Sequence, residues 1–135
     1  IERAALDWLM TMSLEKMYER FPNLRIASVE NGSSFLPDLF RKLPQQKNKL
    51  MGWFKEDPLE QFKEHVWINP FWEDDPSEVA DYMGSDRVIF GSDWPHIEGM
   101  PTPLDYVDEL NSFNEHEQKL ILHDNVLELN TPRPT

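Results

Sequence analysis

Cysteine is absent from the 135 residues. That excludes a disulfide framework and any thiolate metal site, so a bound metal would have to sit on His, Asp or Glu. It also suits a reducing compartment, and a cytoplasmic location is the expectation. Long apolar runs are missing as well. Stretches such as Arg87-Val88-Ile89-Phe90 are too short to span a bilayer, and the first residues lack the charged and apolar regions of a signal peptide. Basic charge is scarce, with 13 Lys and Arg against 25 Asp and Glu and a net charge of -12. With no basic run to offset it, this surface repels a nucleic-acid backbone or an anionic membrane, so neither is expected as a partner.

Length sets a further limit, because a complete eight-stranded α/β barrel takes about 250 residues. The chain is long enough for one domain with a hydrophobic core, and 39% hydrophobic and 12% aromatic residues argue against disorder. No Gly/Ser linker, internal repeat or composition break divides it, so residues 1–135 read as one domain or one piece of a domain. Position one is Ile, at the edge of a segment that already reads as helix, so the natural N-terminus is expected elsewhere.

What is present is an alternation of strand and helix. Ala5, Trp8, Leu9, Met12, Leu14, Met17, Tyr18 and Phe21 follow helical spacing over residues 2–20, ended by Pro22-Asn23. Leu24–Val29 reads as a strand stopping at Glu30-Asn31-Gly32. A helix capped by Ser33 or Ser34 should follow, with Leu36, Leu39, Phe40 and Leu43 inward and Pro44 as its stop. Asp57-Pro58-Leu59-Glu60 and Asp75-Pro76-Ser77-Glu78 each place a capping Asp, a first-turn Pro and a Glu that can complete a capping box. The helix after Asp75 is closed by Gly84. Between and after these helices, Val66–Asn69 and Arg87–Phe90 read as two more strands. Thr102 and Asn114 start the last helices, and residues 130–135 read as a frayed tail. Three apolar strands alternating with helices predict a parallel sheet buried on both faces, an α/β fold.

In such folds the residues just beyond the C-terminal strand ends form the functional face. Here they are polar: Glu30 after the first strand, Asn69 at the end of the second, Ser92-Asp93 and His96 after the third. Oxygen and imidazole donors of this kind suit a hard or borderline divalent cation. Trp67, Phe71 and Trp72 flank the second strand and either pack in the core or line a pocket for a ring. The run Glu73-Asp74-Asp75 reads as a solvated loop and helix cap, and His65, His116 and His123 are assigned no role.

The segment Arg87-Val88-Ile89-Phe90-Gly91-Ser92-Asp93-Trp94-Pro95-His96 resembles the strand-eight motif of the amidohydrolase-related family, the branch that includes aminocarboxymuconate semialdehyde decarboxylase. Phe21-Pro22-Asn23-Leu24-Arg25-Ile26 is similar to the start of strand six, and Asp124-Asn125-Val126-Leu127-Glu128-Leu129 to the closing helix. The resemblance implies the C-terminal portion of a TIM (β/α)8 barrel, covering strands six to eight. It implies Asp93 as ligand of a catalytic divalent metal, zinc being expected, and as a carrier of protons to and from a metal-bound water.

Glu30 stands where many members of that family have a His followed by glycines. It can bind metal, act as acid or base, or hold a water, or it can be a solvated loop carboxylate. His96 and Trp72 are candidate substrate contacts together with Asn69, although His96 can equally pin the loop. The family's other ligands, a His-x-His pair and a further His, are not in this sequence, which contains no His-x-His. The expectation is an enzyme, active as part of a longer protein for which the resemblance implies a homodimer, that hydrolyses or non-oxidatively decarboxylates a small carboxylated or ring-derived substrate. The 135 residues alone are expected to be inactive. The alternative is a truncated, non-catalytic α/β module that binds a partner through an exposed sheet edge.

Overall fold

A computed structural model describes residues 2–132. The elements are α1 (Glu2–Leu14), α2 (Met17–Arg20), β1 (Ile26–Ser28), α3 (Leu36–Lys49), α4 (Pro58–His65), β2 (Val66–Ile68) and α5 (Pro76–Met83). Two 3-10 segments follow, Ser85–Arg87 and Pro103–Leu110. The chain then forms α6 (Glu115–Lys119) and α7 (Asn125–Asn130), joined through a π-helical turn at Leu120–Asp124. Asn130 still belongs to α7, and residues 133–135 of the expected tail lie outside the described residues.

The helix expected over 2–20 is broken. Ser13 Oγ donates back to Leu9 O, and Lys16 takes the left-handed conformation at φ 56°. Both weaken the helical ladder between α1 and α2. Trp8 is half exposed and lies off the inward face.

Proline placement gives one success and one correction. Pro58 and Pro76 open their helices beneath capping carboxylates, where a missing N–H costs nothing. Asp57 accepts from the N–H groups of Leu59 and Glu60. Pro44 does not stop α3, which runs on to Lys49. Leu36, Leu39 and Leu43 are buried along one face of this helix, and their packing offsets the single backbone bond that proline removes. Neither expected serine is the cap of α3. Phe35 holds that position, and the Ser33 hydroxyl donates to Asp74 instead.

Asp75 makes a further expectation concrete. Its carboxylate accepts from the Ser77 hydroxyl at 2.6 Å and the Ser77 N–H at 2.8 Å, which hold its pKa below the usual aspartate value. A depressed folded pKa contributes stability above the unfolded value of about 3.9 and loses it as pH falls through the folded value. Asp75→Asn keeps a capping acceptor but cannot titrate. Wild type should therefore be more stable than Asp75→Asn near pH 6, with the gap closing as urea unfolding is repeated toward pH 2. A constant gap would show that the cap's charge does not matter.

The sheet is where the sequence reading changes most. β1 and β2 pair in parallel with Ile26 opposite Val66 and Ser28 opposite Ile68. The third expected strand, Arg87–Phe90, contributes only one parallel bridge, Val88 to Ile68. One cause is visible, since Pro70 has no N–H with which to carry the ladder past Ile89, while the segment's other edge is occupied by the C-terminal helical run through Phe90 N–H to Ile121 O. β2 is buried throughout, as expected for a covered parallel strand, but Ala27 in the middle of β1 is exposed. The core beneath is formed by Leu9, Leu36, Leu39, Leu43, Phe62, Ile68, Val88, Leu110 and Ile121, all at most 1% exposed.

At the far end of β2, His65 is buried, stacks on Tyr18 with ring centroids 5.0 Å apart, and has Nδ1 2.6 Å from Leu24 O. It serves the core, away from the polar strand ends.

Candidate functional site

β1 delivers Glu30 and the third segment delivers Asp93 to the same end of the sheet. Both residues have left-handed backbones, φ 58° and 54°, and among the described residues only Lys16 joins them as a non-glycine in that region. Such backbones are costly for residues with a Cβ and collect at functional positions. The Asp93 side chain lies within hydrogen-bonding reach of Glu30.

The electrostatics follow from this proximity. Partial loss of water raises the pKa of the Glu30 carboxyl, helped by the charge of Asp93, the hydrogen bond with Asp93 and the charge of Glu73. His96 acts in the opposite direction. The two carboxyl groups are thus neighbours at the cavity, with Glu30 raised above the ordinary glutamate value.

These groups border a cavity of about 470 Å³ whose walls include Glu30, Phe71, Trp72, Glu73, Asp93 and Glu98, with Gly91 and Ser92 beneath. Trp72 is thus placed in a pocket wall, and its Nε1 donates to Glu98 O at 3.0 Å, tying the loop after β2 to the loop after Asp93. Asp74 ties a third loop in, accepting from Ser33 Oγ at 2.9 Å and Phe71 N–H at 3.0 Å. Trp67, by contrast, is fully buried in the core with the Arg87 guanidinium over its ring.

The loop from Ser92 to Met100 folds tightly back on itself. Met100 N–H donates to Ser92 O and His96 N–H to Asp93 O, both at 2.8 Å, and the Trp94–Pro95 peptide is cis. At Gly99 the backbone passes so close that a Cβ would lie 2.4 Å from Asp93 O. His96 pins this loop through Nδ1, 3.1 Å from Asp93 Oδ2, and is not among the residues that line the cavity.

Asn69 differs from its expected place. It is 3% exposed, lies below the cavity floor, and spends its amide N–H groups on Pro70 O and Ile89 O.

Two wall residues were missed from sequence. Glu73 was set aside as part of an acidic loop, and Glu98 carries no pattern of its own. The position of Glu73 just past β2 was the available signal.

A metal needs three or four converging donors from protein. Among the described residues no group of three or more His, Asp or Glu side chains is arranged to hold one. Asp93, Glu30 and His96 are neighbours without converging. The described residues therefore do not make a complete metal site, though Asp93 is of the right chemistry to supply one ligand.

The sequence model of the amidohydrolase family matches residues 2–129. An amidohydrolase of known crystal structure from Mycobacterium avium subsp. paratuberculosis K-10 is 41% identical, with a TM-score of 0.91 over 95% of this chain and 33% of that chain. The chain thus spans about a third of the length of that relative. No curated protein matches it.

Proposed function

The chain belongs to the amidohydrolase family, and from that premise we propose that it is the C-terminal portion of a (β/α)8-barrel hydrolase acting on a small carboxylated or ring-derived molecule. The observation that carries this reading is the meeting of Glu30, just past β1, and Asp93, from the segment that bridges β2 at Val88, in strained backbone at the rim of one cavity. Both comparisons are to amidohydrolases, which favours hydrolysis over decarboxylation.

In this reading the Glu30–Asp93 pair holds and passes the proton that hydrolysis must move from the attacking water to the leaving group. Phe71 and Trp72 offer aromatic faces against which a ring packs and from which water is excluded. His96 holds the Asp93 carboxylate through its Nδ1 contact. The walls carry four carboxylates and no Lys or Arg, so a substrate carboxylate would find no cation among them.

A divalent metal, zinc by preference, answers that imbalance, with Asp93 as the one ligand this chain provides and the others coming from outside these residues. When bound, such a cation supplies Lewis acidity and lowers the pKa of water toward neutrality.

The test is metal content. Elemental analysis of the longest product carrying this chain should find one divalent metal per chain, absent after Asp93→Ala. Full metal content in the variant would refute the assignment of Asp93.

A further inference from the structure

The Asp93 segment leaves the sheet at a point where the backbone cannot hold it. Ile89 N–H donates to Ile68 O at 2.9 Å, and a continuing parallel ladder would next use the N–H of residue 70 to reach Ile89 O. Residue 70 is Pro and has no such group. The side-chain amide of Asn69 takes its place, with Nδ2 3.3 Å from Ile89 O and 3.1 Å from Pro70 O. Buried carbonyls that lose their donor are costly, so this amide is tied to its post.

The chain then runs directly over that amide. A Cβ at residue 91 would lie 2.9 Å from both Nδ2 and Oδ1 of Asn69, so only glycine lets the backbone rest there. Asp93 comes two residues later. On the other side a second buried amide, Asn125, donates to Ser85 O at 2.8 Å and Val88 O at 2.7 Å. Asn125 fixes where the segment enters, and Asn69 fixes the direction in which it leaves.

We infer that Asn69 is a positioning residue, which replaces the missing Pro70 donor and, through its contact with Gly91, sets where the Asp93 carboxylate meets Glu30. It acts from beneath the cavity without touching substrate. Its consequence for turnover rests on the proposed hydrolase reading, whereas its effect on the loop does not.

Hydrogen exchange in the full chain separates the two. In Asn69→Ala, the amides of His96 and Met100, which close the loop onto Asp93 O and Ser92 O, should exchange roughly tenfold faster, while Gln61 and Gly84 in the helices keep their rates. Gly91→Ala, which displaces the amide from above, should give the same pattern and serves if Asn69→Ala does not fold. Equal acceleration at all four amides would reduce Asn69 to a general stabiliser, and unchanged His96 and Met100 would remove its role altogether. Turnover measured on the same samples resolves the dependence. A loosened loop with turnover intact in both Asn69→Ala and Asp93→Asn would keep the positioning role and refute Asp93 as the reacting carboxylate of the proposed hydrolase. A rigid loop with turnover lost only in Asp93→Asn would do the reverse.

Discussion

Asp93→Asn in the full-length protein should lower kcat by roughly 10²–10⁴-fold, the range associated with losing a positioned acid or base, with little change in melting temperature. Asparagine is the informative choice because Asp93 sits at φ 54°, where Asn is among the few residues with a Cβ that are readily tolerated. The substitution thus keeps shape and backbone while removing the charge and the capacity to accept a proton. Its structural cost is small, since the contact with His96 joins side chains that are 31% and 59% exposed. Exposed pairs of this kind contribute about 0–1 kcal/mol. Turnover on a panel of small amides, esters and lactones, read beside a thermal melt, checks the expectation. Wild-type rates in the variant would sink the assignment of Asp93 as the reacting carboxylate. A lost rate accompanied by a collapsed melt would instead mark a structural residue.

Trp67→Ala should produce the largest loss of stability among single changes, about 3–5 kcal/mol by analogy with other buried aromatic truncations. Trp67 is fully buried at the centre of β2, opposite Ala27 in the sheet. The Arg87 guanidinium lies 4.7 Å from its ring centroid while Arg87 Nε donates to Lys63 O. Removing the indole opens a cavity and strips a partly buried cation of its aromatic partner. Small domains have only about 5–15 kcal/mol of stability, so the variant should unfold at much lower urea. Trp94, 66% exposed on the loop, is the control, and Trp94→Ala should shift stability by no more than about 0.5 kcal/mol. Comparable losses from the two would mean that the indole of Trp67 is not what holds β2 in place.

The recognisable parts of the molecule are those governed by neighbours in sequence. Asp57, Asp75 and Asn114 each cap the helix that follows, and Asn114 forms a reciprocal box with Glu117. Such bonds span two or three residues, so the spacing alone reveals them. The motif from Arg87 to His96 likewise led to the amidohydrolase family and holds Asp93, whereas Glu30, the other carboxylate at the cavity, was found from its place just past the first strand.

Other features depend on partners distant along the chain. Pro44 reads locally as a helix stop, but α3 continues past it because its leucines are buried against other elements. Arg87–Phe90 reads as a strand, but the donor it needs to continue the ladder is missing at Pro70.

The sequence by itself therefore determined the two paired strands, the starts of the helices capped by Asp57, Asp75 and Asn114, the family and the place of Glu30 just past β1. Each of these follows from short-range hydrogen bonding, side-chain periodicity or a contiguous motif. Only the tertiary structure decided that Glu73 and Glu98 share the cavity wall and that His96 braces a loop. It alone also placed Asn69 under the floor, because long-range packing decides which backbone groups lack partners and which side chains are close enough to serve them.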